Sequence, residues 1–111
     1  MARTLAGVLT AFVLSSTAAF AAPVAQATPS DDAFLAALKT LNIPTASDDA
    51  AIKIGHDVCT AVDAGKVEPA KTLRGMLSAF MNQGLTKNQA ANLIWSAVGA
   101  YCPENTSLVG R

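Results

Sequence analysis

Only two cysteines occur in the 111 residues, Cys59 and Cys102, and both stand behind an apolar opening segment. Thiols carried out of the cytosol meet an oxidising environment in which paired cysteines become disulfides. A bond between these two would close a loop of about 44 residues, worth roughly 4 kcal/mol by the chain-entropy relation, a large share of what so small a domain holds in total. Free thiols, a metal pair and a redox couple are the competing readings. Against the last two stand the wide spacing, the absence of C-x-x-C and a single histidine.

The opening has the order of a secretory signal peptide. Arg3 supplies a short positive start, Leu5 to Leu14 form an apolar run, and Ser15, Ser16 and Thr17 dilute it before an alanine-rich stretch. Two small-x-small triplets, Ala19-Phe20-Ala21 and Ala25-Gln26-Ala27, place cleavage between Ala21 and Ala27, so residues 1–27 are assigned to the signal and a short linker. A retained anchor is the alternative, because Leu5 to Ala22 is almost long enough to cross a bilayer. Its serines, threonine and clustered alanines make it weakly apolar. No arginine pair and no cysteine after the run mark a twin-arginine signal or a lipid anchor. The expectation is export, to the envelope or outside the cell, with no stable membrane anchor after cleavage.

Removing that segment leaves about 84 to 90 residues, and the 51% hydrophobic content of the whole chain overstates theirs. Seven bases then face eight acids, a balance that gives no preference for nucleic acid or an anionic membrane. This length supports one domain with one small core.

Periodicity and stop signals divide residues 31–103 into four helices, with no alternating run long enough for a sheet. The fold class expected is all-α, a small four-helix bundle-like domain closed by one disulfide. Ser30 is the N-cap expected for the first helix, with Asp31 and Asp32 in its first turn where negative charge suits the helix dipole. Phe34, Leu35, Leu38 and Leu41 share a face, and Asn42-Ile43-Pro44 ends it, because a residue before proline is pushed out of helical dihedrals. Ser47 caps the second, which runs to Ala64 with Gly65 in a left-handed terminating position.

On that second helix Ala51, Ile52, Gly55, Val58, Cys59 and Val62 fall within about 60° of one direction, so a neighbouring helix is expected close to Gly55. The third helix begins near Glu68-Pro69 and ends around Asn82-Gln83, with Leu73, Met76, Leu77 and Phe80 as its stripe. Thr86-Lys87-Asn88-Gln89 opens the fourth as a capping box. Ala90, Leu93, Ile94, Ala97, Val98 and Tyr101 line one side before Pro103 stops it. Residues 104–111 lack periodicity and are expected to form a flexible tail.

With the helices placed, the chain resembles the small secreted helical proteins of mycobacteria and relatives that are grouped as a domain of unknown function. The residues that carry the likeness are Asp32 to Leu38, then Ile52 and Gly55 ahead of Val58-Cys59, Asp63 and Gly65, and Leu85-Thr86 with Gln89-Ala90. The closing Ala100-Tyr101-Cys102-Pro103 completes the set. The resemblance implies export, a helical fold and paired cysteines. It implies no activity and brings no catalytic residues.

Residues with functional potential are few. His56, the only histidine, lies about 100° from the centre of its helix's buried face, on the flank shared with Asp63. It reads as a boundary residue, and a haem or catalytic role would have to be built with Asp63, Thr60 and Tyr101. The pairs Asp31-Asp32 and Asp48-Asp49 lack calcium-loop spacing and read as dipole compensation. Asn105-Thr106-Ser107 is read as a chance match to a glycosylation acceptor. Trp95, at the margin of the fourth stripe, and Met81, near Met76 and Phe80, are candidates for an interaction surface together with His56.

No catalytic residue, metal site or cofactor follows from these residues. The function expected is a non-catalytic binding or interaction module whose partner is a protein, a lipid or a small apolar ligand, without nucleic acid. A structural or accessory envelope protein is the alternative, followed by a carrier of haem or a small apolar ligand.

Overall fold

A computed structural model describes residues 27–110; residues 1–26, which hold all of the expected signal and its cleavage triplets but Ala27, and Arg111 lie outside the described residues. Four helices follow one another: α1 (Pro29–Thr40), α2 (Asp48–Ala64), α3 (Pro69–Asn82) and α4 (Lys87–Tyr101), then a 3-10 helix over Pro103–Val109. No strand occurs among the described residues. None of the described helices is long and apolar enough to cross a membrane.

The helix ends show which local signals acted. Ser47 caps α2 by accepting from the amide of Ala50, and Thr86 with Gln89 forms the capping box of α4. The start of α1 corrects the expectation of Ser30. Pro29 takes the first helical position, which suits its fixed φ and missing N–H, so the cap moves back to Thr28. Thr28 Oγ1 accepts from the Asp31 amide, while Asp31 Oδ2 accepts from the Thr28 amide, both at 3.1 Å.

α1 also ends differently from the proline argument. Asn42 adopts a left-handed φ of 58°, and the amides of Asn42 and Ile43 turn back to the carbonyls of Lys39 and Leu38. This is the doubly bonded left-handed stop in which Ile43 folds back onto Leu38. Gly65 corrects a second expectation, since its φ is −98°. A side chain there would strike Thr72, whose side chain fills the place where a Cβ would project, so close approach at the α2–α3 corner explains the glycine.

α2 and α4 form the central pair, with α1 against one side of it and α3 against the other; α1 and α3 do not meet. The Cys59–Cys102 disulfide joins this pair across a Cα separation of 6.0 Å, with both residues buried. Both cysteines are committed to it, which removes the free-thiol reading. Around it the core collects Phe34 and Leu38 from α1, Ala51, Val58 and Val62 from α2, and Leu93, Ile94, Ala97 and Val98 from α4. α3 adds only the half-buried Leu73, Met76, Leu77 and Phe80, and no side chain of it is fully buried.

The expected flexible tail is replaced by the 3-10 helix, which packs on α2, α3 and α4. Val109 and Asn105 are each 2% exposed. Asn105 Nδ2 donates to Asp63 Oδ1 at 2.7 Å, and Trp95 Nε1 donates to the Val109 carbonyl at 2.7 Å. A 3-10 helix has no 3.6-residue period, so this segment carries no α-helical stripe in its sequence.

Candidate functional site

Two surfaces stand on the flanks of α2, and of the residues singled out from sequence His56 and Tyr101 lie on the first, Met76 and Phe80 on the second. On the first, His56 lies exposed with its ring 4.0 Å from the Tyr101 ring and tilted by 36°. Tyr101 in turn meets Phe34 edge to face at 5.6 Å, and its hydroxyl donates to Asp31 Oδ1 at 2.6 Å. This aromatic ladder stands over Gly55. A Cβ on Gly55 would lie 2.5 Å from Tyr101 Cε2 and 3.0 Å from Phe34 Cε2, so the space is taken by rings, where the sequence reading expected a neighbouring helix.

The ladder also decides the chemistry on this side. Tyr101's hydroxyl, with the Thr28 amide behind it, holds the Asp31 carboxyl below the usual carboxylate range. Burial, reinforced by Asp31, pushes the Tyr101 phenol well above its ordinary value. Asp63 is not in this group. Its carboxylate accepts from Asn105, which lowers its pKa, and it faces Lys66 at 3.5 Å. Thr60 bonds the carbonyl of His56 on their own helix. The residues on which a catalytic or haem reading would be built are therefore divided between separate contacts, and His56 lines none of the cavities described below.

Asp31 is the member of this cluster that sequence reasoning missed. Its place in the first turn of α1 explains it locally as dipole compensation, and nothing local signals a partner 70 positions away. The buried Asn105, with its amide nitrogen committed to Asp63, closes the glycosylation triplet within the fold. Among the described residues no group of three or more His, Cys, Asp or Glu converges as metal ligands would.

The second surface is an open groove of about 240 Å³ between α2 and α3. Its floor is apolar: Ile54, Val58 and Ala61 from α2, and Met76, Ala79 and Phe80 from α3, with Asp57 and Gln83 as the polar members. It exists because α3 leans its stripe on the central pair without sinking into it. Met81, 44% exposed, lies outside this lining, as does Val67 at 93%. Trp95 is half-buried beside a hollow of about 280 Å³ with Ser96, Gly99, Thr106 and Val109, and its indole N–H ties down the 3-10 helix. A third void, at Pro69, Leu73 and Leu108, measures about 10 Å³, room for about one water.

The three residues expected to share an interaction surface, Trp95, Met81 and His56, thus fall in three different places. Met76 and Phe80 are the ones that reach a shared concave face.

The family model described as "Protein of unknown function (DUF732)" matches residues 30–104, the whole helical body from α1 into the 3-10 helix. The chain belongs to this family. Among curated relatives, the DUF732 chain is 36% identical over 96 residues to "Uncharacterized protein Mb1323c" of Mycobacterium bovis, covering 86% of this chain and 83% of that one. The same figures hold for "Uncharacterized protein MT1330" of Mycobacterium tuberculosis. No solved structure matches the chain.

Proposed function

We propose that this DUF732 chain is exported, loses its apolar opening, and works in the envelope or outside the cell as a non-catalytic binding module. The observation that carries the binding reading is the groove between α2 and α3: an apolar floor beside a helix that buries no side chain completely. Concave apolar surface with a few polar members is what recognition sites share, and a domain this small gains nothing in stability by leaving a stripe half covered. The partner class remains a protein, a lipid or a small apolar ligand. Export is supported by the order of the opening segment and by a disulfide that needs an oxidising compartment.

The reading is tested by placing a photo-reactive phenylalanine at Ala79, inside the groove, and at Lys39, exposed on α1, and irradiating the producing cells. A discrete adduct from position 79 and none from position 39 is expected. Equal labelling at both, or none at either, sinks the groove as a docking face. The intact mass of the same material reads export directly: the expected chain begins between Ala22 and Thr28, and a full-length chain in the medium contradicts it.

A further inference from the structure

One stripe of α3 serves two neighbours. Its first half, Pro69, Thr72, Leu73 and Met76, lies with Val62 of α2 against Leu108 and Val109 of the 3-10 helix, and the space left between them is about 10 Å³. Its second half, Met76, Ala79 and Phe80, faces the open groove. Met76 lines both. The groove therefore stops where the 3-10 helix takes over the same stripe, and what fills the stripe from there on is a leucine and a valine, the chemistry an apolar ligand would bring.

This cover is held at three points. Cys102, the residue before it, is bonded to Cys59; Asn105 donates to Asp63, one turn further along α2; and Val109 offers its carbonyl to Trp95 of α4. Only the first is covalent. Of the seven residues in the 3-10 helix, Asn105 and Val109 are buried while Pro103, Glu104 and Ser107 are exposed. Hydrogen bonds of the 3-10 kind have poorer geometry than those of the α-helices beneath, and segments that bury few side chains open at lower free energy than the core they cover. The disulfide keeps a lifted strap beside its site, so closing it again needs no search.

Resting on the docking reading above, we propose that the 3-10 helix is a built-in plug of the binding groove: Leu108 and Val109 occupy its closed end, and an apolar ligand extends past Met76 by displacing them. A ligand that replaces them on Leu73 and Met76 favours the lifted strap, and by linkage a loosened strap favours the ligand by the same factor. Neither Asn105 nor Trp95 lines the groove or the small void. Weakening their bonds therefore changes the hold on the strap and leaves the surface that the ligand meets as it was.

Amide hydrogen exchange of the oxidised protein, with and without the neutral apolar probe N-phenylnaphthylamine, is the test, applied to the wild type, Asn105→Ala and Trp95→Phe. In the wild type, amides of residues 104–109 are expected to exchange faster than the interiors of α2 and α4, and saturating probe should speed them by about fivefold or more while those interiors stay unchanged. Each variant should bind the probe about fivefold more tightly by probe fluorescence, with an unaltered helical circular dichroism spectrum. If a variant fails to fold, the other variant and the probe effect on the wild type decide.

Strap amides that exchange only together with α2 and α4 overturn the plug, as does a probe affinity indifferent to the loosened strap. The adduct at position 79 separates the two failures. An adduct on a protein whose strap is indifferent to the probe keeps the binding module and discards the plug, whereas no adduct and an indifferent strap discard both.

Discussion

α1 and α3 flank the same central pair from opposite sides with apolar stripes of similar make, Phe34, Leu35, Leu38 and Leu41 against Leu73, Met76, Leu77 and Phe80, yet they are held in different ways. The shorter helix, α1, buries Phe34 and Leu38, is capped at both ends, and is pinned by Tyr101 to Asp31 and by Gln89 Nε2 to the Leu41 carbonyl at 3.0 Å. The longer helix, α3, makes no side-chain bond at its Glu68 N-cap and hides nothing completely. Amphipathicity brings a helix to the core, and the hollow that receives it decides how deep it goes. On the α1 side Gly55 and α4 make that hollow; on the α3 side the corresponding space stays open as the groove.

Truncation of one ring on each side gives the largest contrast. Phe34→Ala should cost about 3–5 kcal/mol in urea unfolding, because it empties a buried site, whereas Phe80→Ala, partly exposed already, should cost about 1–2 kcal/mol. Equal losses would break the comparison. A finer version uses one substitution at two glycines. Gly55→Ala should destabilise by about 1 kcal/mol or more, since displacing the Tyr101 ring outweighs the better helix propensity of alanine. Gly75→Ala, with open space around it, should stabilise by about 0.5–1 kcal/mol. The same sign at both positions would mean that the two faces are equally filled.

The smallest effect is one of pH, and it arises at the Asp31–Tyr101 bond on the α1 side and at the Asp63–Asn105 bond between α2 and the 3-10 helix. Asp31 and Asp63 titrate lower in the fold than unfolded, so their contribution is present above the unfolded carboxylate value, about 3.9, and is lost as pH falls through the lower folded values. Tyr101 titrates higher in the fold, so its contribution is complete below the unfolded phenol value, about 10, and fades as pH rises beyond it. Melting temperatures across pH should fall at both extremes. Tyr101→Phe should remove the alkaline fall and shrink the acid one. An unaltered alkaline limb would show that the phenol is not a clamp.

Much of the architecture could be read from the chain because its signals are local: Ser47 and Thr86 as caps, Pro69 at a helix start, and the 3.6-residue stripes that named nearly every core residue. The cap of α1 was misplaced because Ser30 and Thr28 are both good capping residues, and Pro29 between them decides the choice only through its own geometry. Gly65 looked like a left-handed stop, and only the position of Thr72 reveals a steric reason for it. The docked 3-10 helix and the Asp31–Tyr101 bond were hidden for a common reason. They depend on partners far along the chain, and no spacing rule records such partners. The groove was hidden for the opposite reason, since it consists of burial that an ordinary stripe leaves incomplete.

The central place of α4 bears on the order in which the molecule can be assembled. It is the last long helix, it touches every other described element, and it ends at Cys102. On the proposed export route, a chain threaded N-terminus first through a pore would present α1, α2 and α3 with α2 as their sole common neighbour, and with neither the long-range sulfur link nor the aromatic lock available. Vectorial folding in steps is therefore disfavoured. The body closes in one event once its final third has arrived, and until then the leading helices have exposed apolar faces that a holding chaperone could grip.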